Sequence, residues 1–361
     1  MKSIPLRKLI LFVRCDLTSR SNISDIARKT GFSRTTISRV LNNRSNVDEK
    51  TREKILKVID EVGYVPNSVA RNLRNKKTNK IGLLLYAYVR GVHVPGLHIA
   101  SEYYFEIIRG ITLEAENAHY NIILYSSLYS EGTLDNLNKI CRSGEVDGLI
   151  LVGTGQMQPV IDVLKDNQTP FVVANRLIAD PHVSFVGPDD EHGAYKATRH
   201  LIELDHTRIA YLGRPEDERT NESRYKGYKQ ALNEANISFD EDLVVSASYE
   251  WGSGEKAIRS LMQKGNPPSA VFAFNDTLAI ETVHACAEMG LRIPQDLAII
   301  GFDDIHSAAV IQPPLSTIRQ PLFEIGSEAM KVLLALIKQK DSQPVQIIVP
   351  LEVIKRESTI G

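Results

Sequence analysis

The chain has 361 residues, of which 43% are hydrophobic and 24% charged, a composition typical of a soluble globular protein. This length exceeds what one core usually serves, so we expect two or three domains. Its three cysteines have neither metal-site nor redox spacing, which favours a reducing compartment. No apolar run approaches the ~20 residues of a membrane helix, and no secretory signal is evident, so we expect a cytoplasmic protein without a membrane partner.

Charge is unevenly distributed along the chain. Residues 1–80 hold 19 Lys and Arg against 7 Asp and Glu, a net charge of +12, and the remainder has a net charge of −13. A basic segment on an acidic body is the electrostatic pattern of nucleic-acid binding at one end. The alternative is a basic terminus without functional meaning.

Residues 22–65 are predicted to form a small helical domain, preceded by an extension over residues 1–21 that we expect to be disordered. The first helix runs from Ser24, its predicted N-cap, to Thr30. Gly31 supplies the left-handed residue that ends this helix and turns the chain. Helix, glycine turn and second helix together predict a helix-turn-helix.

The second helix is predicted to follow a Ser33 cap and to bury one face. Its apolar residues recur at i, i+3 and i+4: Ile37, Val40 and Leu41. Guanidinium and short hydroxyl groups, which suit readout of base edges in a major groove, occupy the other face. The residues on that outward face are Arg34, Thr35, Thr36, Ser38 and Arg39. The alternative for this face is ordinary solvation.

A third helix begins near Asp48 and ends at Gly63, and a short fourth helix is predicted from Ser68 to Arg74 within a hinge and linker over residues 66–80. A helix of two turns is marginal alone, so we expect DNA or a second copy of the chain to order it. Leu73 is suited to wedge into a minor-groove step. The alternative is that Leu73 packs on the body.

The coupled positions of this segment resemble the lactose/galactose repressor family of bacterial regulators. They are Asp25-Ile-Ala27, Gly31-Phe-Ser33, Thr36-Ile-Ser-Arg-Val-Leu-Asn42, Thr51-Arg52, Val62-Gly-Tyr64 and Pro66-Asn-Ser-Val-Ala-Arg-Asn-Leu73. The resemblance implies a homodimer that binds a pseudo-palindromic double-stranded operator. The residues expected to contact DNA are Arg34, Thr35, Thr36, Ser38, Arg39, Asn42, Ala70, Leu73 and Arg74.

From residue 81 to residue 361, short apolar segments alternate with amphipathic ones, which predicts doubly wound parallel sheets with right-handed crossovers. Eight strands are predicted: Ile81–Tyr86, Ile122–Tyr125, Gly148–Val152, Phe171–Ala174, Ile209–Leu212, Leu243–Ser246, Ala270–Phe274 and Ala298–Phe302. Eight strands over this length fit two sheets better than one. The fold class is thus a small all-α head and an α/β body of two lobes, and ligands of such sheets bind beyond the carboxyl ends of the strands.

The resemblance extends through the body, in Val146-Asp-Gly-Leu-Ile-Leu151, Arg224-Tyr-Lys-Gly-Tyr228, Asn275-Asp-Thr-Leu-Ala279 and Pro314-Leu-Ser-Thr-Ile-Arg-Gln-Pro321 among others. It implies a body like a periplasmic sugar-binding protein, with three crossovers between lobes. The first lobe is expected at about 81–182 and 315–341, and the second at about 183–314 and 342–361. The C-terminal helix would return to the first lobe.

Several residues at predicted strand ends suit a small polyhydroxylated effector, since carboxylate, guanidinium, amide and aromatic groups together recognise sugars. The resemblance places effector contacts at most of them. The expected set is Tyr103, Tyr104, Asn175, Arg176, Arg224, Trp251, Asn275 and Asp303. The alternatives are that Asp303 and Asn275 cap helices or turns, that Tyr104 is core, and that Trp251 is plain packing.

Other functions have weaker support in the sequence. Phosphate loops, dinucleotide fingerprints, nucleophile elbows and metal-spaced His or Cys clusters are absent, so we expect neither an enzyme nor a cofactor. A transport-type sugar-binding protein would explain the body but not the head. Within the regulator class, a purine or a phosphorylated partner protein is the alternative effector. Extra Lys or Arg in the cleft would favour a phosphorylated one.

Overall fold

A computed structural model describes residues 22–41, 46–64, 77–88, 102–127, 133–155, 157–214, 218–248, 250–339 and 343–360. The chain forms two compact units, a head within residues 1–77 and a body within residues 78–361. In the described parts, no helix is both long and apolar enough to cross a membrane.

The head contains three helices among its described residues: α1 (Ile23–Thr30), α2 (Arg34–Leu41) and α3 (Glu49–Glu61). Asn22, not Ser24, is the N-cap of α1. The Asn22 side chain accepts hydrogen bonds from the amides of Ser24 (2.8 Å) and Asp25 (3.2 Å), and the Asp25 carboxylate accepts from the Asn22 amide at 2.9 Å. The expected cap was wrong by two positions because this reciprocal capping box lets Ile23 join the helix.

Both predicted glycine stops of the head are confirmed, since Gly31 and Gly63 have φ of 77° and 58°. Each helix contributes one or two buried residues to the small core. These are Ile26, Ile37, Val40 and Ile55. Val58 and Ile59 of α3 and its C-cap residue Val62 pack against this core. Three short helices thus share one core too small to bury the polar face of α2.

The body contains two six-stranded sheets. The strands of the first sheet are β1 (Lys80–Tyr88), β2 (Asn121–Ser127), β3 (Gly148–Gly155), β4 (Phe171–Ala174), β5 (Phe185–Pro188) and β11 (Gln346–Val349). Those of the second are β6 (Ile209–Gly213), β7 (Val244–Ser246), β8 (Ala270–Ala273), β9 (Ala298–Asp303), β10 (Ser316–Arg319) and β12 (Glu352–Ile354).

Helices cover both sheets. Those on the first are α4 (Glu102–Asn117), α5 (Thr133–Ser143), α6 (Gln158–Asp166) and α12 (Leu322–Lys338). Those on the second are α7 (Asp190–Ile202), α8 (Glu218–Glu234), α9 (Ser253–Met262), α10 (Asp276–Glu288) and α11 (His306–Val310). Each sheet therefore has a separate apolar layer on each face. For this reason the side chains of its central strands are buried on both faces and do not alternate between buried and exposed.

The strand order is β11-β5-β4-β3-β1-β2 in the first sheet and β12-β10-β9-β8-β6-β7 in the second. All pairs are parallel except β10 with β12, which is antiparallel. The predicted fold class is confirmed. Because parallel strands end at one edge, the loops after β4, β8, β9 and β10 lie where a ligand would be expected.

The chain crosses between the two lobes three times, as the resemblance implies, but at other positions than expected. Crossings fall after β5, after β10 and after β11, so the first lobe comprises residues 80–188 and 322–349 and the second residues 190–319 and 352–360. The expected borders at about 183, 315 and 342 were wrong because hydrogen bonding between strands, which local sequence does not reveal, decides the sheet to which each short strand belongs. Strand β5 bonds to β4, through Asn175 N–H to Val186 O at 2.7 Å, and β11 bonds to β5.

Candidate functional site

The polar face of α2 is the first candidate site. Arg34, Thr35 and Arg39 are exposed, and Thr36 and Ser38 are half-buried. Ser33 caps the helix as predicted, because its hydroxyl accepts from the Thr36 amide at 3.1 Å.

The burial of Ile37 and Val40 on the opposite side of α2 sets which way this polar face points. The Arg34 guanidinium donates to the Ser24 hydroxyl of α1, which ties the two helices of the motif together. The face therefore offers two guanidinium groups and several hydroxyls to a partner, as a groove-reading helix requires.

Four of the expected DNA contacts lie outside the described residues. They are Asn42, Ala70, Leu73 and Arg74. The predicted hinge helix and the extension over residues 1–21 also lie outside them, so these expectations stay predictions.

The second candidate site is a group of buried polar side chains at the carboxyl ends of the strands of the body, termed here the strand-end cluster. Arg224 on α8 is its centre and is only 3% exposed. Its Nε donates to Asp190 Oδ1 at 2.9 Å, a second nitrogen lies 2.8 Å from the same oxygen, and a third donates to the carbonyl of Phe274. The guanidinium also stacks on Phe302, with 3.7 Å between its carbon and the ring centre.

Opposite charge keeps Arg224 ionised although it is buried. Burial by itself disfavours the guanidinium charge, but the carboxylates of Asp190 and Asp303 and the nearby Tyr103 outweigh burial and raise the Arg224 pKa. Arg224 is thus already neutralised by groups of this chain, which limits what charge a ligand can bring.

Asp303 ends β9 and is 5% exposed. Its Oδ1 accepts from Gln320 Nε2 at 2.7 Å. Its backbone has φ of 133°, a region that residues with a side chain rarely adopt. Burial raises the pKa of the Asp303 carboxyl well above its usual range, against the opposing charge of Arg224 and with the added effect of Asp276. Strain and burial at one carboxyl are typical of a functional position.

Asp276 is a second buried carboxyl beside Asp303. It accepts from the Thr317 hydroxyl at 2.5 Å and from the Ile305 amide at 2.9 Å. Burial is the main cause that raises its pKa to about 7, and the neighbouring Asp304 adds to the shift. Asp276 connects α10, β10 and the loop after β9, so it positions Asp303 and its neighbours.

The first lobe contributes Asn175 and Tyr103. Asn175 follows β4 in the left-handed conformation, with φ of 63°, and its amide nitrogen donates to the Tyr103 hydroxyl. Among the described residues no donor reaches the buried Asn175 Oδ1, and none reaches the buried Gln320 Oε1. Buried acceptors without donors are costly unless water or a ligand satisfies them.

Asn275 has the structural role that was the alternative to ligand binding. It is the N-cap of α10, and its Oδ1 accepts from the Leu278 amide at 3.0 Å. Because the oxygen is engaged, the amide nitrogen is the atom through which Asn275 would contact an effector. The two roles are compatible, since the cap orients the side chain.

The remaining three expected effector residues are Tyr104, Arg176 and Trp251. Tyr104 is 5% exposed and belongs to the apolar core under the first sheet, as its alternative reading required. Arg176 is buried, with its backbone packed against Gly187. Trp251, two residues before α9, is 75% exposed. Effector contacts by Tyr104, Arg176 and Trp251 stay predictions.

Three cluster residues escaped the sequence analysis: Asp190, Asp276 and Gln320. Gln320 stands directly after β10, and its position at a strand end was a signal that could have found it once β10 was recognised. Asp190 and Asp276 start helices, where an acidic residue is ordinarily explained by the helix dipole. In the described part of the chain, no group of three or more His, Cys, Asp or Glu is placed to hold a metal ion.

A helix-turn-helix head joined to a two-lobed α/β body with a buried polar cluster defines a class of DNA-binding regulators with ligand-binding bodies. Residues 22–67 match the family described as bacterial regulatory proteins, lacI family, and residues 198–359 match the periplasmic binding protein-like domain. The chain is 33% identical over 340 residues to catabolite control protein A of Priestia megaterium, covering 93% of this chain and 98% of that protein. It therefore belongs to the lacI family of transcription regulators.

Solved structures agree with this assignment. The lac repressor dimer bound to operator and the anti-inducer ONPF matches with a TM-score of 0.83 and 25% identity, covering 94% of this chain and 99% of that one. The complex of the transcriptional regulator CelR with cellobiose matches with a TM-score of 0.71 and 28% identity, covering 94% of this chain and 100% of that one.

Proposed function

We propose that this protein is a homodimeric repressor that binds a pseudo-palindromic operator through α2 and the hinge, and that an uncharged sugar bound at the strand-end cluster controls it. Regulation, not catalysis, is then its activity, and the cytoplasm its place of action. The related regulators that bind operator DNA and cellobiose support both halves of the proposal.

The observation that carries the choice of effector is the charge balance of the cluster. Arg224 is paired with Asp190, and Asp303 and Asp276 add two further buried carboxyls. A phosphorylated ligand would meet the Asp190 carboxylate, two further buried carboxyl groups and a guanidinium that is already neutralised, at a high cost in desolvation. A sugar hydroxyl can donate to Asn175 Oδ1, Gln320 Oε1 or Asp303 while it accepts from Asn275, so it satisfies these groups without added charge.

Fluorescence anisotropy on DNA from the protein's own upstream region tests the proposal. The panel contains neutral mono- and disaccharides, the matching sugar phosphates, and purine bases. We expect tight, salt-sensitive DNA binding that one neutral sugar changes and its phosphate does not. A response to a phosphate or a purine only would contradict the sugar assignment, and absence of sequence-specific binding would contradict the regulator assignment.

A variant pair locates the effector. Asp303→Asn is expected to lose the sugar response by at least tenfold in sugar concentration and to keep DNA binding, since the Asp303 carboxyl group is the proposed partner of sugar hydroxyls and lies far along the chain from the head. Glu352→Gln removes an exposed carboxylate of the same lobe and is expected to respond as wild type.

A further inference from the structure

A direct side-chain bridge joins the two lobes of the body. Glu102 is the first residue of α4 in the first lobe, and Ser307 lies in α11 of the second lobe. The Ser307 amide donates to Glu102 Oε2 at 2.9 Å, and the Ser307 hydroxyl donates to Glu102 Oε1. One carboxylate thus accepts two hydrogen bonds from a single residue 205 positions away in the chain.

The second-lobe end of this bridge is held firmly. The loop before α11 is anchored by Asp304, which accepts from Arg319 at 2.7 Å and from Arg356 at 2.6 Å. The next amide, of Ile305, donates to the buried Asp276. Helix α11 is therefore tied to β10, α10 and the C-terminal segment, and moves with its lobe.

The first-lobe end is equally firm. Helix α4 packs on α12 through two glycines that allow backbone contact. A Cβ on Gly110 would lie 2.0 Å from Phe323 O, and one on Gly326 would lie 2.1 Å from Ile107 O. Packing this close leaves α4 little freedom to shift, so a change in the lobe angle must act on the Glu102 carboxylate.

We propose that Glu102 and Ser307 form a latch that holds the two lobes in the arrangement seen here, and that breaking it releases the lobes. The latch sits beside the strand-end cluster, because Glu102 precedes Tyr103 and Ser307 follows Asp303 by four positions. If the proposed function holds, an effector that touches Tyr103 and Asp303 acts on both ends of the latch. The latch itself requires no effector.

Pulsed electron–electron double resonance on the full-length, ligand-free protein tests the latch. Spin labels are placed on cysteines at Glu116 of α4 and Lys256 of α9, both exposed, in a background where the three native cysteines are replaced. Labelled chains are diluted with unlabelled chains, so that only distances within one chain contribute. Because no effector is added, the result does not depend on the effector class.

The variant series is Glu102→Ala, Glu102→Gln and Glu106→Ala. Glu106 is the matched control, since it pairs within α4 with Arg109 at 2.7 Å. We expect Glu102→Ala to raise the ratio of released lobes to lobes held in the arrangement seen here about threefold to tenfold. The released lobes would give a second population in the distance distribution. Glu102→Gln should keep the wild-type distribution, because its oxygen still accepts from the amide and its amide group can bond the hydroxyl.

Two outcomes would overturn the latch. One is a distance distribution in Glu102→Ala that matches wild type, which would make the bridge incidental. The other is an equal change in Glu106→Ala, which would assign the effect to the charge of α4. Hydrogen exchange of residues 305–311 accompanies each sample and should be faster in Glu102→Ala alone, since that variant alone loses the acceptor of the Ser307 amide.

Discussion

At the residue scale, the buried position of Arg224 indicates that the body binds a ligand. A buried ion pair is seldom a net gain in stability over apolar side chains of similar volume. Here the guanidinium is almost completely buried with Asp190, in contact with the rings of Phe274 and Phe302, at the carboxyl end of the strands. Its position, where ligands of such sheets bind, favours ligand recognition as the reason for this costly group.

Asp190→Asn is expected to destabilise the body by about 3 kcal/mol, because it replaces the charged partner of the buried Arg224 guanidinium with a neutral amide. Chemical denaturation of the full chain measures the effect. The adjacent exposed Glu191→Gln is the control and should change the free energy of unfolding by less than about 0.5 kcal/mol. Equal effects of the two variants would contradict a specific pair.

Asp276 predicts a pH dependence of stability. Its folded-state pKa, about 7, lies above the ordinary value of 3.8. The protonated carboxyl is thus favoured by folding, so its contribution is full below pH 4 and is lost as the pH rises through 7. Between pH 5 and pH 6 wild type should lose stability relative to Asp276→Asn, which cannot ionise, by about 1.4 kcal/mol per pH unit, and the slope should fall off as the folded-state carboxyl ionises near pH 7. Parallel stability curves for the two proteins would exclude this titration.

At the scale of elements, the contact of α4 with α12 is one of the close helix packings on which the site depends. Gly110 and Gly326 let each helix approach the backbone of the other. Tyr104 and Ile107 extend the same face into the core under the first sheet. The core role of Tyr104 follows from this packing, since a residue one position after Tyr103 points to another side of the helix.

Gly110→Ala is expected to cost about 2 kcal/mol or more. Alanine gains about 1 kcal/mol in helix propensity, but its Cβ would lie 2.0 Å from the Phe323 carbonyl, and relief of this clash must move a helix. Thermal unfolding checks the prediction. Gly265→Ala, where a Cβ meets nothing within 4 Å, is the control. A shift in Tm no larger for Gly110→Ala than for this control would disprove the packing argument.

The predicted elements were correct where local pattern is strong. All eight predicted strands and the three head helices are present, with borders displaced by a few residues. Strands β5, β10, β11 and β12 were not among the eight predicted strands. These strands have only three or four residues each, too few for a distinct period, and pairing in the sheet stabilises them.

At the scale of the whole molecule, charge separates the two functions. The basic N-terminal 80 residues favour DNA, and the acidic remainder reduces non-specific adhesion of the body to it. Ligand control then requires two states of the body, one competent to bind DNA and one not. The effector must bind these two states with different affinity. A latch between lobes is a means of defining two such states.

Arg39→Ala is expected to weaken binding to the upstream DNA roughly 5- to 100-fold, since a bidentate contact with guanine is worth about 1–3 kcal/mol. Anisotropy titration against specific and scrambled DNA measures the loss, which should be confined to the specific sequence. Lys57→Ala removes one exposed positive charge from α3 and serves as the control. An equal loss of affinity for the specific and the scrambled DNA would contradict base readout and indicate that Arg39 contacts only phosphate.

The sequence by itself determined the helix-turn-helix head, the alternation of strands and helices and the membership of a regulator family, because local period, caps and coupled motif positions carry that information. Only the tertiary structure decided where the lobes cross, that Tyr104 is core, that Asp190 neutralises Arg224 and that Glu102 reaches Ser307. These features join residues 34 to 205 positions apart in the chain. Such contacts depend on sheet order and helix packing, which local patterns do not encode.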